Sequence, residues 1–193
     1  LAYLLFTDIP LVIIPQKLHA GMDVFVLLCV PGFILAGNLM NRGGITKRII
    51  GFSKAIVGHI RGGLGLANIG ASMIFSGISG TAVADSASIG AVMIPAMKKE
   101  GYDPEFSCAI TASSSTIGPI IPPSLPMIIA GTLTGLSVAK LFIAGAIPGL
   151  LLACGLMTVS YLISKKKKHP QGLKSTFSHI RNKFFSAFWA LLM

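Results

Sequence analysis

Acidic residues are scarce in this sequence. Asp and Glu together number 6 among 193 residues, and only 11% of the residues are charged, against about 25% in soluble domains. Apolar types (AVILMFWYC) make up 53% of the chain, and 22 residues are glycine. So small a polar surface excludes a soluble globular domain, a disordered tail and a nucleic-acid-binding module as first interpretations. The composition predicts an integral membrane protein.

The sequence also lacks the common signatures of enzymes and metal proteins. It contains no G-x-x-x-x-G-K-[ST] motif for nucleotide hydrolysis. The three cysteines lie in apolar stretches, at spacings that suit neither a zinc site nor a disulfide framework: Cys29, Cys108 and Cys154. The four histidines have no spaced partner, which favours anchoring at the membrane interface: His19, His59, His169 and His179. We therefore expect neither an enzyme nor a cofactor.

Apolar runs divide the chain into candidate membrane segments, because a helix needs about 20 apolar residues to cross a bilayer. Residues 1–44 are expected to form transmembrane helices, the first incomplete and the second centred on 24–40. Isoleucines at helical spacing alternate with basic residues in 45–63, which predicts an amphipathic helix in the membrane interface; a basic loop with half a span is the alternative. Residues 140–164 predict another span. A basic cytoplasmic segment and the start of a further, truncated helix follow in 165–193.

Residues 64–97 contain neither Lys nor Arg over 34 positions. This length is too great for one membrane helix and too small for two spans with a connection. It therefore predicts a re-entrant helical hairpin, although a pair of full crossings would give the same charge topology. The middle of the segment concentrates glycine and hydroxyl residues around Asp85, and irregular backbone at membrane depth is tolerated only where it is buried in protein or lines a wet cavity.

The segment 106–131 is long enough to cross once but carries three prolines at its centre, Pro119, Pro122 and Pro123. Each proline removes a backbone donor and clashes with the preceding turn, so we predict a broken helix. With this topology, 14 of the 16 basic residues lie on one face, and only Lys17 and Lys140 lie opposite. The positive-inside rule makes that face cytoplasmic. The net charge of +10 thus reflects membrane orientation.

The hairpin tip and the broken helix offer the chemistry of a small-cation site. Half-helix N-termini favour anions, while hydroxyls and unwound carbonyls coordinate small cations. The alternative is that the hydroxyls bond within their helices, the glycines serve packing and Asp85 is a helix cap. A passive channel and a non-transporting scaffold also remain open as functions. The candidate oxygen donors and the glycines that free backbone carbonyls are Ser79, Thr81, Asp85, Ser115, Thr116, Gly77, Gly80 and Gly118.

Four motifs resemble those of one protein family: MNRGGITKR (40–48), FSGISGTAVADSASIG (75–90), IPAMKKEGYDPEF (94–106) and SSSTIGPIIPPS (113–124). In this order they resemble the large membrane subunit of tripartite ATP-independent periplasmic (TRAP) transporters. The resemblance implies a multi-pass protein of the bacterial inner membrane that imports organic acids with sodium, such as a C4-dicarboxylate, sialic acid or another sugar acid. It also implies two partners, a periplasmic substrate-binding protein and a small membrane subunit.

The resemblance further implies an elevator mechanism, with 64–97 and 106–131 in the moving transport domain and 45–63 as the arm that joins it to the scaffold. Family members carry a second, inverted repeat, so we expect residues 1–193 to be the first half and not to transport alone. The implied sodium site comprises Ser79, Gly80, Thr81, Asp85, Ser115, Thr116 and Gly118. The implied substrate site comprises Ser76, Ser79, Thr116, Pro122, Pro123 and Ser124.

Overall fold

The structure is a computed structural model that describes residues 10, 12–22, 29–172, 180–181, 183–185 and 187–188. Part of the predicted span 24–40 and about half of the segment 165–193 therefore lie outside the described residues. Within the described part the fold is helical, as predicted, and its β-structure is limited to an isolated bridge between Arg61 and Gln171. The helices are α1 (Ile13–Met22), α2 (Cys29–Arg42), α3 (Ile45–Val57), α4 (Gly63–Ser79), α5 (Ala82–Lys99), α6 (Pro104–Ser115), α7 (Leu125–Thr134) and α8 (Val138–Lys166).

Helix α8 is, in the part of the chain that the structure describes, the one helix long and apolar enough to cross a membrane. It has 29 residues, and the mean hydropathy of its most apolar stretch is 2.1. Many of its large apolar side chains face outward, including Ile143, Ile147 and Leu151, which are about 70% exposed. In a membrane protein, outward apolar side chains of this kind contact lipid or another membrane helix.

The segment 64–97 folds into two helices joined by Gly80 and Thr81. Gly80 ends α4 in the left-handed conformation, with φ of 60°, and the Thr81 hydroxyl caps α5 by accepting from the Ala84 amide. With 17 residues, α4 is about 26 Å long at 1.5 Å per residue, shorter than the ~30 Å bilayer core. Side chains from both helices, such as Phe75 and Ile89, are fully buried in the core.

The amphipathic segment forms α3, which begins after Gly44 and ends at Gly58. Ile49 and Ile50 are buried, and α3 packs closely against α4. The amphipathic pattern is therefore real, but a large part of its apolar face covers the hairpin. Sequence reasoning had given that face to the membrane, because the pattern shows which residues avoid water and not what covers them.

The predicted break occurs between α6, which ends at Ser115, and α7, which begins at Leu125. Ser124 restarts the helix because its hydroxyl accepts from the Met127 amide. Helix α8 packs on this region through Gly145 and Gly149. A Cβ atom at Gly145 would lie 2.7 Å from the carbonyl oxygen of Ile120, so glycine permits the close approach.

After α8 the chain turns back across the base of the hairpin, in residues 167–172, which we call the return segment. Lys167 pairs with Asp103, and this hydrogen bond lowers the pKa of the Asp103 carboxyl and raises the pKa of Lys167. His169 is buried, with its ring 4.7 Å from both the Tyr102 and Phe106 rings and its Nδ1 3.2 Å from the Ser164 hydroxyl. The sequence favours interface anchoring for His169; the structure packs its ring inside the protein instead, against two aromatic residues from a distant part of the sequence.

Candidate functional site

The hairpin tip and the broken helix meet through their backbones. The Leu125 amide donates to the carbonyl oxygen of Gly80 at 3.2 Å, so the start of α7 is bonded directly to the tip. A Cβ atom at Gly118 would lie 3.1 Å from both the carbonyl carbon and oxygen of Thr81. Glycine at position 118 thus allows the two irregular segments to touch. The structure brings together the two segments in which the site was predicted.

Asp85 is the most unusual side chain at this junction. It is 0% exposed, and neither carboxylate oxygen has a hydrogen-bond partner among the described residues. Ser72 and Ser115 lie beside it, but Ser72 is 3.0 Å from the Ser114 hydroxyl and Ser115 donates to the Thr111 carbonyl. A buried carboxylate without a partner is expensive. This arrangement calls for a cation or a proton at Asp85.

A second unpaired oxygen lies close to the tip, at Ser79. Its hydroxyl is buried and has no hydrogen-bond partner in the part of the chain that the structure describes. Asp85 does not act as the cap of α5, because the cap bond to Ala84 comes from the Thr81 hydroxyl at 3.3 Å. The structure thus argues against the helix-cap interpretation of Asp85. Two side chains from either side of the hairpin turn carry buried oxygens that the described protein groups leave unsatisfied.

The remaining predicted residues are committed to local bonds. The Ser76 hydroxyl donates to the Met73 carbonyl at 2.8 Å, and the Ser124 hydroxyl donates to the Pro119 carbonyl at 2.6 Å. Thr116 is exposed and its hydroxyl donates to the Ser113 carbonyl. Pro122 and Pro123 are half-buried within the break. Among the residues predicted to bind sodium or substrate, Thr116 differs because its side chain is solvent-exposed and lies outside the buried junction.

A small cavity of about 150 Å³ lies beside the tip, between α2 and the hairpin. Sequence reasoning had identified Ser79 and Thr81 but missed Asn38 and Ser88, which are also in its wall. The volume is below the ~300 Å³ at which drug-sized ligand sites begin, so it can hold an ion, a few waters or one carboxylate group. It is lined by Ile34, Gly37, Asn38, Ser79, Thr81, Ala84, Ala87 and Ser88.

A polar seam between α4 and α6 runs from this junction along the hairpin. Asn68 donates to the Thr111 hydroxyl at 2.6 Å, and Ser72 contacts Ser114 at 3.0 Å. The seam was missed, although Asn68, Ser72 and Ser76 recur at four-residue spacing on one face of α4. It fixes α6 against α4 and thereby holds Ser115 next to Asp85.

The atoms at the junction that could coordinate a cation are oxygens. Over the described residues, no group of three or more His, Cys, Asp or Glu side chains could hold a metal ion. Hydroxyls, one carboxylate and backbone carbonyls are hard ligands, which suit alkali or alkaline-earth ions rather than zinc or copper. The unsatisfied oxygens of Asp85 and Ser79 therefore suit a hard cation of the alkali or alkaline-earth type.

A helical membrane protein that joins a hairpin tip to a broken helix around buried oxygens has an architecture used by secondary transporters. The comparison with protein families agrees. The family described as "Tripartite ATP-independent periplasmic transporter, DctM component" matches residues 1–193. The chain belongs to this family, as the sequence motifs predicted.

Three relatives show how much of the family is covered. The chain is 49% identical over 177 residues to the sialic acid TRAP transporter permease protein SiaT of Haemophilus influenzae, covering 92% of the chain and 29% of that protein. It is 49% identical to the sialic acid large permease SiaM of Vibrio cholerae, covering 79% and 36%. It is 38% identical to the C4-dicarboxylate large permease DctM of Pseudomonas aeruginosa, covering 100% and 45%. The chain thus spans less than half the length of these relatives.

These relatives are transporter permeases and not enzymes, which confirms that expectation. Membership of the family also makes this chain a membrane protein.

Proposed function

We propose that this chain forms one ion- and substrate-binding half of a sodium-coupled importer of organic acids. The observation that carries the proposal is the buried, unpaired carboxylate of Asp85 at the junction of the hairpin and the broken helix. A cation placed there would offset the cost of the buried charge, and binding it would make sodium a requirement for the occupied state.

The helix ends at the junction supply the two kinds of ligand that such an importer needs. Helices α4 and α6 end there. The last carbonyls of α6 each accept one hydrogen bond from the turn that follows, but a carbonyl oxygen has a second lone pair that a cation can use. Helices α5 and α7 begin there, and their N-termini favour the carboxylate of a substrate. We assign sodium to Ser79, Gly80, Thr81, Asp85, Ser115, Thr116 and Gly118, with Thr116 and the glycines contributing through their backbones. We place the substrate beside Ser76, Ser79, Thr116, Pro122, Pro123 and Ser124. The Ser79 hydroxyl is the side-chain donor of this set without a partner among the described residues, and the prolines can only pack against the substrate.

The substrate class follows from the relatives' names. Their substrates are sialic acid, C4-dicarboxylates and 2,3-diketo-L-gulonate, all of which carry a carboxylate. The cavity of about 150 Å³ accommodates that shared group, and the rest of the acid would contact other parts of the full permease. We propose delivery by a periplasmic binding protein and assembly with a small membrane subunit, in the bacterial inner membrane.

The mechanism we propose is an elevator in which the hairpin is re-entrant and moves with the broken helix. The length of α4, 17 residues, favours re-entry because the helix is shorter than the bilayer core. The hydrogen bond from Leu125 to Gly80 and the close contact of Gly118 with Thr81 favour movement of both segments as one unit. Sodium would stabilise this unit by neutralising the buried carboxylate of Asp85.

Uptake by proteoliposomes tests the proposal. The full-length permease, reconstituted with its small subunit and supplied with the binding protein, should accumulate labelled N-acetylneuraminate or succinate only with an inward sodium gradient. Asp85→Asn should raise the sodium concentration for half-maximal uptake about tenfold or more, since hydrogen bonds and contacts to charged groups are worth about 1.5–3 kcal/mol. Glu105→Gln, which changes an exposed carboxylate, is the matched control. Ohmic conductance without a gradient or binding protein would identify a channel instead, and unchanged uptake in Asp85→Asn would remove Asp85 from the site.

A further inference from the structure

A second cavity lies at the opposite end of the hairpin from Asp85, where the return segment crosses the base. Its volume is about 330 Å³, within the range of ligand sites. Three parts of the chain form it: the turn after α3, the last two turns of α8, and the return segment. The lining residues are His59, Ile60, Arg61, Tyr161, Lys165 and Gln171.

The wall of this cavity is held in place by several hydrogen bonds. Gly62 donates to the Pro170 carbonyl at 3.2 Å, and Gly172 donates to the Gly58 carbonyl at 3.1 Å. The Gln171 side chain donates to the His59 carbonyl at 2.9 Å. The turn that carries Arg61 is therefore fixed relative to the return segment, and the cavity is a defined part of the fold.

The cavity carries positive charge that the described part of the protein does not neutralise. Arg61 and Lys165 are exposed, no acidic residue lines the cavity, and neither base forms an ion pair with any acid among the described residues. The acids nearby are engaged elsewhere, because Glu100 pairs with Lys54 and Asp103 pairs with Lys167. An anion is the natural occupant of such a site. Arg presents a fork of donors that matches a phosphate, and Lys adds a second charge.

The position of the cavity identifies the source of that anion. Lys165 lies at the end of α8, the membrane-spanning helix, and Tyr161 lies one turn earlier on the same face. Tyr and Lys at the end of a span mark the headgroup level of the bilayer. Deeper in the span on the same face of α8, Leu150 and Ile147 are 54% and 68% exposed and offer an apolar surface to an acyl chain.

We propose that this cavity binds the phosphate of an anionic phospholipid of the cytoplasmic leaflet. Arg61 and Lys165 bind the phosphate, Tyr161 and Gln171 border the headgroup, and the outer surface of α8 carries a lipid tail. The site is distinct from the transport site and needs neither sodium nor an organic acid. Basic pockets between membrane helices are typical lipid headgroup sites.

Lipid titration of the delipidated full-length permease in detergent tests the assignment. Phosphatidylglycerol should bind in native mass spectrometry and raise the melting temperature, and phosphatidylcholine should do so weakly. The affinity of the Arg61→Gln/Lys165→Gln variant for phosphatidylglycerol should fall about tenfold or more, because the variant loses two charge-assisted contacts. Arg61→Lys/Lys165→Arg, which keeps both charges, should retain most of the binding and shows that the fold survives changes at these positions.

The matched control is Lys99→Gln/Lys166→Gln, which removes two exposed charges near the same face but outside the cavity. It should bind phosphatidylglycerol like the wild type. Equal losses in the two double Gln variants would overturn the proposal, because the effect would then come from general surface charge. Retained binding in Arg61→Gln/Lys165→Gln would also overturn it. Equal protection by inorganic phosphate at the same concentration would overturn the lipid assignment in favour of a soluble phosphate compound.

Discussion

Replacing Asp85 with Asn should separate the stability of the permease from its dependence on sodium. In the wild type, both carboxylate oxygens are buried, and no described residue gives them a hydrogen bond; an uncompensated buried charge costs several kcal/mol. Asn has nearly the same shape and carries no charge, so the variant avoids this cost. Its amide must still be accommodated, at a cost of about 1–3 kcal/mol if it finds no partner. In sodium-free buffer we therefore expect Asp85→Asn to be as stable as the wild type or more stable.

In the presence of sodium, the wild type should become more stable than Asp85→Asn. A ligand at 100 times its dissociation constant adds about 2.7 kcal/mol to stability, which corresponds to about 5–10 °C in melting temperature for a domain of 150–250 residues and less for a longer protein. The wild type should show this rise when choline chloride is replaced by sodium chloride at constant ionic strength. Asp85→Asn should show little of it, because the variant lacks the charge that attracts the ion.

The assay is thermal unfolding of the full-length permease in detergent, with sodium titrated against choline and with potassium as a second comparison. Glu105→Gln, in an exposed position, should respond to sodium like the wild type. A full sodium response in Asp85→Asn would refute the reasoning. So would a wild type that is stabilised by acidification but not by sodium, since a proton would then satisfy the carboxylate.

Two further perturbations test other parts of the structure. Gly118→Val should weaken sodium stabilisation severalfold while the protein still folds, because its Cβ would lie 3.1 Å from the Thr81 backbone and push the tip away; Gly155→Val, where nothing lies within 4 Å, should leave sodium stabilisation unchanged. Asp103→Asn should lower the melting temperature slightly at neutral pH, by breaking the pair with Lys167. The pKa of Asp103 is lowered from 3.8, so the pair stabilises above that value and the difference should vanish as the pH falls through the lowered pKa. A difference that persists in acid would contradict the ion-pair explanation.

Local chemistry explains what could be predicted from the sequence. Proline removes a backbone donor wherever it occurs, so the positions of three prolines, 119, 122 and 123, were enough to predict the break after Ser115. The same holds for the turn at Gly80, which adopts a left-handed conformation that glycine tolerates. Asp85 was identified because an acid in a long apolar segment is rare and costly.

Contacts between distant segments could not be predicted in this way. Asn38 joins the cavity wall because α2 lies near the hairpin, and nothing in the local sequence around residue 38 specifies that packing. His169 is buried only because residues 102–106 and the return segment meet. A periodic pattern specifies which face of a helix avoids water, whereas the identity of the neighbour depends on the whole fold.

The return segment has a mechanical consequence. Four hydrogen bonds connect residues 170–172 to the base of the hairpin at Gly58, His59, Gly62 and Tyr102. At about 0.5–1.5 kcal/mol each, together with the burial of His169, they resist separation by a free energy comparable to that of many conformational transitions. In the elevator motion that we propose, the Lys166 end of α8 must therefore travel with the hairpin base. Any hinge that permits the motion has to lie elsewhere along the chain.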